Sequence, residues 1–226
     1  MTLSKRLQTL LDYVEDATCL MDVGTDHGYL AIQAIQQKKA HRVLATDNKP
    51  GPLSTARLNV AQSGFQDSIE LILANGLDPL TPAVDTLVIA GMGGGTIANM
   101  FEHKDLQALK KIIVQPTHQV AVVRDLTNRF SLKIADEQFL EEQGQTYTIL
   151  VFTPGHQTLN ERERLWGPVL LQQKSPLYHQ ALKEEALYLK RILTQIPGDH
   201  STHPLMQKAR ILEEILDEWT CTKSIL

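Results

Sequence analysis

Between residues 19 and 115 five short apolar runs recur, and each stops at an acid, a glycine or a proline. CLMDV (19–23) runs into Gly24, RVLATD (42–47) ends on Asp47, and IELILA (69–74) meets Asn75-Gly76. DTLVIA (85–90) meets Gly91, and KIIVQ (111–115) meets Pro116. Short apolar runs bounded by turn residues read as buried strands. Helical patterning fills most of the gaps, at Tyr29–Gln37, Pro52–Gln62, Thr96–Phe101 and Val120–Arg129. Strands alternating with helices predict an α/β fold, a mostly parallel sheet covered on both faces. Leu132–Glu141 and Gln145–Thr153, either side of Gly144, read as an antiparallel hairpin that closes the sheet with a reversed strand. Ahead of it all, Leu3, Leu7, Leu10, Leu11 and Val14 fall at helical spacing.

After TPGHQ the strand patterns stop. Leu182, Leu189, Ile192 and Ile196 form one apolar stripe, and Leu205, Leu212, Ile215 and Trp219 another. PGDHSTHP (197–204) separates them as a turn-rich break. This predicts a first domain over 1–158 and a second over 159–226, the latter an α-helical hairpin of coiled-coil type.

The composition, 42% hydrophobic and 21% charged, is that of a globular chain, and no run reaches the roughly 18 apolar residues of a membrane span. MTLSKRLQTLLDYVED lacks the long apolar stretch of a secretory signal, and Cys19 and Cys221 have neither disulfide-framework nor metal-ligand spacing. The expectation is a cytoplasmic protein with reduced thiols, no metal and no membrane association. A net charge of −4 does not announce a nucleic-acid binder, although a local basic patch would suffice.

In a doubly wound sheet, ligands bind beyond the carboxyl ends of the strands where the strand order reverses. LMDVGTDHGYL (20–30) supplies the loop expected there. Gly24 and Gly28 admit close backbone approach, and the helix that follows offers free N–H groups. Dinucleotide binders use G-x-G-x-x-G, whereas this loop is G-x-x-x-G and carries Asp22 and Asp26, which would repel a pyrophosphate. S-adenosylmethionine has no phosphate and carries a sulfonium and an ammonium, which favour carboxylates. Asp47, about 20 residues on, can accept from ribose hydroxyls of either cofactor. Asn75-Gly76-Leu77 stands where an adenine would be held, an amide for its edge and Leu77 for its face. Each loop alone is an ordinary turn; three loops at one sheet edge make S-adenosylmethionine the favoured cofactor. Thr25 and Asn48 belong to the same loops.

AGMGGGT (90–96) packs four glycines into five positions. It reads either as a backbone-lined floor where a flat base approaches, or as a flexible turn. The Asn/Asp-Pro-Pro-aromatic loop of exocyclic-amine methyltransferases is missing here. A ring nitrogen with its own lone pair needs no such loop, so an endocyclic nitrogen such as adenine N1 is the better target.

DVGTDHGYL (22–30), ATDNKPGPL (45–53), ANGLDPL (74–80), AGMGGGTI (90–97) and IVQPTHQV (113–120) together resemble the bacterial tRNA adenine-N1 methyltransferases that act on adenine 22. The resemblance covers essentially the whole chain. It implies a Rossmann-like class I methyltransferase domain, S-adenosylmethionine as donor, a coiled-coil C-terminal domain and tRNA as substrate. It also implies a donor site lined by Gly24, Asp26, Gly28, Asp47, Asn75, Gly76 and the loop Ala90, Gly91, Met92 and Gly93.

Attack by adenine N1 releases no proton beforehand, so positioning and electrostatics carry the burden. Asp26 is the first candidate for a polar role, followed by His27 and Tyr29, the latter as a stacking partner for the target base. Gln115 and Pro116 read as a wall for that base, Gly94 as part of its floor and Met92 as a pocket wall. Residues 1–158 hold 13 Lys/Arg against 17 Asp/Glu, and residues 159–226 hold 9 of each. The tail is the less acidic part, and Lys183, Lys190, Arg191, Lys208 and Arg210 could line up along it for RNA. A solvated face is the plain alternative. The chain is expected to be a monomer, with the apolar stripes offering weak self-association. Two competing functions stand beside this one: a nucleotide-dependent oxidoreductase, and a non-catalytic module binding RNA or a partner. Methylation of another RNA is the nearer alternative.

Overall fold

The structure, a computed structural model, describes residues 2–196 and 203–221. The chain divides into two compact units, Met1–Leu159 and Asn160–Leu226.

The first unit is a seven-stranded sheet of order β3-β2-β1-β4-β5-β7-β6. Its strands are β1 (Ala17–Val23), β2 (Ala40–Asp47), β3 (Ile69–Leu73), β4 (Thr86–Met92), β5 (Lys111–Pro116), β6 (Leu132–Glu142) and β7 (Gln145–Pro154). The first five are mutually parallel, and β7 runs antiparallel to both β5 and β6. The chain moves outward from β1 through β2 to β3, then returns to β4 on the other side of β1. The order therefore reverses between β1 and β4, which leaves a crevice at their carboxyl ends.

The central strands are apolar on both faces because helices cover both. Leu20, Val88, Ile89, Ile113 and Val114 are fully buried. Four helices alternate with the parallel strands: α1 (Lys5–Asp12), α2 (Tyr29–Gln36), α3 (Pro50–Ser63) and α4 (Gly94–Met100). The stretch 120–129, expected as one helix, is α5 (Val120–Arg124) followed by α6 (Leu126–Arg129). There the Thr127 hydroxyl donates to the Arg124 carbonyl at 3.1 Å, a local bond that competes with the helical ladder.

The hairpin turns through Gln143 and Gly144, both left-handed at φ 53° and 75°. Two such residues make the tight primed turn that matches strand twist. A bulge between Ile134 and Asp136 shifts the phase of β6. Beyond it Glu137 points inward and accepts from Arg124 Nε at 2.8 Å, an ion pair buried at both ends.

Helix α1 matters most for the site. Ser4 caps it, its hydroxyl accepting from the Leu7 N–H. Leu10 and Leu11 are buried completely, each contributing roughly 1.5–3 kcal/mol. Glu142 accepts from the free N–H groups of Lys5 and Arg6 in the first turn. The helix is thus pinned at both ends, and Arg6 and Leu7 reach the crevice.

The second unit is helical: α7 (Glu161–Trp166), α8 (Pro168–Gln173), α9 (Pro176–Leu193) and α10 (Pro204–Cys221). The short helices α7 and α8 were not foreseen; Gly167, at φ 84°, breaks between them and Pro168 starts the second. Helices α9 and α10 pack together. Along α9 the buried stripe is Tyr178, Leu182, Ala186, Leu189 and Leu193, so Leu193 takes the place expected of Ile192 and Ile196. Along α10 it is Ala209, Leu212, Ile215 and Trp219. Residues 197–202 of the expected break lie outside the described residues. No helix among the described residues is long and apolar enough to cross a membrane.

Candidate functional site

The carboxyl end of β1 hands over to α2 through a loop whose backbone is largely left-handed. Gly24 has φ 75°, Asp26 φ 51° and Gly28 φ 75°. Asp26 is the unusual member, a non-glycine residue in a region that costs an ordinary residue about 1–2 kcal/mol. The N–H groups of Gly24 and Thr25 donate to the Thr46 carbonyl at 2.8 and 2.9 Å, which ties the loop to the end of β2. Gly28 is packed: a Cβ there would stand 3.3 Å from that of Ala56 on α3. On the same side, Asn59 of α3 donates to the His27 carbonyl at 2.9 Å.

This loop walls a cavity of about 250 Å³ lined by Asp22, Gly24, Thr25, Asp26, His27, Tyr29, Leu30, Ala90 and Gly91, together with Arg6 and Leu7 of α1. Asp22 is 5% exposed and accepts from the Thr25 hydroxyl at 2.7 Å. Burial pushes its carboxyl up to about 6; the Thr25 bond pulls it down and the nearby Asp47 charge pushes it up further. Asp26 is 64% exposed at its side chain and lies 3.5 Å from His27 Nε2. The rings of His27 and Tyr29 stand 5.4 Å apart. Among the described residues His27 Nδ1, on a residue of this lining, is buried without a partner, and so is Thr46 Oγ1 on β2. Such orphans carry a cost and mark a place where a ligand or water completes the bonding.

Asp47 sits at the end of β2, half-buried, and accepts from the Lys49 N–H at 2.8 Å, while Asn48 is exposed. Asn75, Gly76 and Leu77 are not in this cavity. They line a second one, of about 600 Å³, with Thr96, Asn99 and Met100 of α4 and the segment after it. Leu77 is 1% exposed and has little face to give an adenine, so any contact from this loop falls to exposed Asn75 and to backbone.

The glycine run divides. Gly91, at φ 75°, has open space where its Cβ would be and faces the first cavity. Met92 instead lies over the first loop, its Cε 2.5 Å from the place a Gly24 Cβ would occupy. The rest is tight. A Cβ on Gly93 would sit 2.8 Å from the His118 ring, and one on Gly94 only 2.4 Å from the Gln119 carbonyl oxygen. Gly94 is buried, and Gly94 and Gly95 form the first turn of α4. The space around the run therefore differs from glycine to glycine. Gly93 and Gly94 are small because the loop after β5 lies against them, and only Gly91 is open.

Gln115 and Pro116 are both buried, Gln115 to 1% exposure, so neither presents the wall expected of it. Gln115 acts at one remove. Its Oε1 accepts from Arg6 Nη1 at 2.7 Å and its Nε2 donates to the Pro116 carbonyl at 2.8 Å. The guanidinium also lies 5.4 Å from the Tyr147 ring centroid. Nothing in the sequence singles out Arg6 as a site residue. Its only signal was a basic residue on the apolar-striped N-terminal helix.

In the helical unit, Lys183, Lys190 and Arg191 are exposed on α9. Lys190 pairs with Glu213 of α10 at 2.9 Å, Lys208 pairs with Glu185, and Arg191 lies 5.7 Å from the Tyr188 ring. Part of the basic stripe is thus spent in clasping the hairpin. Among the described residues, no group of His, Cys, Asp and Glu is arranged to hold a metal ion.

The model of the TrmK family, tRNA (adenine(22)-N(1))-methyltransferase, matches residues 20–218. The chain belongs to this family. Bacillus subtilis tRNA (adenine(22)-N(1))-methyltransferase is 30% identical over 99% of this chain and 97% of its own. Streptococcus pneumoniae Sp1610, solved in complex with S-adenosyl-L-methionine, superposes with a TM-score of 0.87 at 31% identity, covering 95% of this chain and all of that one. Mycoplasma capricolum TrmK, solved with S-adenosyl-homocysteine, gives a TM-score of 0.87 at 27% identity, over 96% of this chain and 99% of that one. Both solved chains are matched nearly end to end, so the likeness extends to the helical tail.

Proposed function

We propose that this chain is an S-adenosylmethionine-dependent methyltransferase that methylates N1 of adenine 22 in tRNA. The observation that carries the reading is the left-handed Gly24–Gly28 loop with Asp22 and Asp26 at one cavity, placed where the strand order reverses. The residues fit the donor. Two carboxylates suit its cationic amino-acid end, the open backbone at Gly91 admits it, and the unpartnered His27 Nδ1 belongs to a residue of the cavity lining. Gly24, Thr25, Asp26, Gly28, Ala90 and Gly91 form the donor cradle in this reading, with Asp47, Asn48, Asn75 and Gly76 extending it toward the nucleoside. Met92 supports the cradle from behind Gly24, and Leu77 supports it from the core.

When bound, S-adenosylmethionine supplies an electrophilic methyl on a positively charged sulfur. The protein's part is to orient and to exclude water. Adenine N1 carries its own lone pair, so no side chain has to remove a proton first. Tyr29 and His27, adjacent rings on the cavity rim, are the stacking surface for the target base, and Asp26 is the acceptor for its amino group as positive charge develops there. Lys183 and Arg191, with Lys190 once freed from Glu213, supply backbone contact to the RNA. The enzyme acts as a monomer, in the cytoplasm where its substrate is.

Labelled S-adenosylmethionine and unmodified bulk tRNA test this, with the product nucleoside identified by mass spectrometry after digestion. N1-methyladenosine is expected, and a tRNA transcript carrying guanine at position 22 should accept no label. Transfer that persists in that transcript moves the target base elsewhere.

A further inference from the structure

The first cavity holds two carboxyl groups and one guanidinium. Asp22 and Asp26 come from the β1–α2 loop, and Arg6 enters from α1. Arg6 is not neutralised: among the described residues it makes no ion pair, and its one side-chain hydrogen bond goes to the uncharged amide of Gln115. That amide is itself fixed, because Gln115 is buried and donates its own N–H to the Pro116 carbonyl. A guanidinium held by a neutral acceptor keeps its full charge and its remaining donors, so it is prepared for an anion. Glu142, set against the start of the same helix, is engaged with the backbone N–H groups of Lys5 and Arg6.

An amino-acid zwitterion needs this pattern, acids for its ammonium and a cation for its carboxylate within one small space. The geometry points to Arg6 as the group that binds the α-carboxylate of the donor's methionine end, with Gln115 as the positioning residue that aims it. The inference rests on the S-adenosylmethionine reading above and names the subsite within it. A carboxylate is favoured over an RNA phosphate because Arg6 shares a 250 Å³ cavity with the acids of the donor loop. A polyanionic backbone would meet those acids at close range.

The test compares S-adenosylmethionine with its decarboxylated analogue, which keeps sulfonium and ammonium but lacks the carboxylate. Affinities are measured by calorimetry on the full chain for wild type, Arg6→Gln, Arg6→Lys and Gln115→Met. Charge-assisted hydrogen bonds of this kind correspond to losses on the order of 10- to 100-fold. Arg6→Gln should weaken S-adenosylmethionine by that factor and leave the analogue within about threefold, an ordinary margin for a neutral change. Arg6→Lys should recover part of the difference. Gln115→Met should narrow the discrimination between the two ligands with little effect on the analogue. Equal weakening of both ligands by Arg6→Gln overturns the proposal, since that is the mark of a disturbed helix. Unchanged donor affinity with a raised KM for tRNA also overturns it and assigns Arg6 to the RNA. Wild type that binds neither ligand sinks the cofactor reading itself, a distinct result.

Discussion

Asn in place of Asp22 should make the empty enzyme more stable and a poorer binder of its donor. Asp22 lies at the carboxyl end of β1, 5% exposed, with the Thr25 hydroxyl as its hydrogen-bond donor. Burial lifts its carboxyl from the ordinary 3.8 to about 6. In the unfolded chain the proton is lost near pH 4; in the fold it is held for about two further pH units. Between those values the folded state binds more protons than the unfolded one, so stability falls as pH rises and then stays level above about 6. Two pH units correspond to about 3 kcal/mol. Asn keeps an acceptor for Thr25 and cannot ionise, so it is free of that cost.

Urea denaturation of wild type and Asp22→Asn at pH 4.5 and pH 7.5 checks the reasoning. The advantage of the variant should grow by about 2–3 kcal/mol between the two conditions. Binding of a cationic amino-acid end beside Asp22 reverses the balance, because the charge then has a partner. Near pH 6 the wild type should release a proton on binding S-adenosylmethionine, read by calorimetry in buffers of different ionisation enthalpy; the variant should not. A stability difference identical at both pH values would refute the reasoning, for it would mean that Asp22 is as well solvated in the fold as in the unfolded chain.

Two further outcomes follow from the same geometry. Gly94→Ala should destabilise by about 1–3 kcal/mol or more, because its Cβ meets the Gln119 carbonyl at 2.4 Å, while Gly91→Ala meets nothing and costs only about 1–2 kcal/mol of left-handed strain; thermal melts separate them, and equal losses would reject the packing account. Reversing Arg191 to Glu should weaken tRNA binding and flatten its salt dependence more than reversing Lys190, which already pairs with Glu213; equal effects at fixed salt would remove the ion pair from consideration.

What could be read from the chain divides by the range of the interaction. The parallel strands and the hairpin announced themselves because period, turn residues and apolar runs are local, and each strand was found within a few residues of its place. The β1–α2 loop was equally legible, since Gly24, Gly28 and the two acids are neighbours in sequence as well as in space. The errors arose where a residue's surroundings come from far along the chain. The glycines of AGMGGGT did signal close approach, but sequence cannot say by what; at Gly94 it is the carbonyl of Gln119 rather than a ligand.

Gln115 and Arg6 show the same limit from the other side. A polar residue ending a strand reads as a site residue, and a basic residue on an amphipathic helix reads as a solvated one. Folding exchanges those roles: β5 buries Gln115, while Leu10 and Leu11 anchor α1 so that Arg6, 109 residues away in sequence, meets it at 2.7 Å. The half-buried cation becomes the candidate ligand and the buried amide becomes its support. Only the joint placement of α1 and β5 decides which of the two faces the cavity. For that reason a double substitution at both positions should cost less donor affinity than the product of the single effects, as expected for two groups that act as one unit.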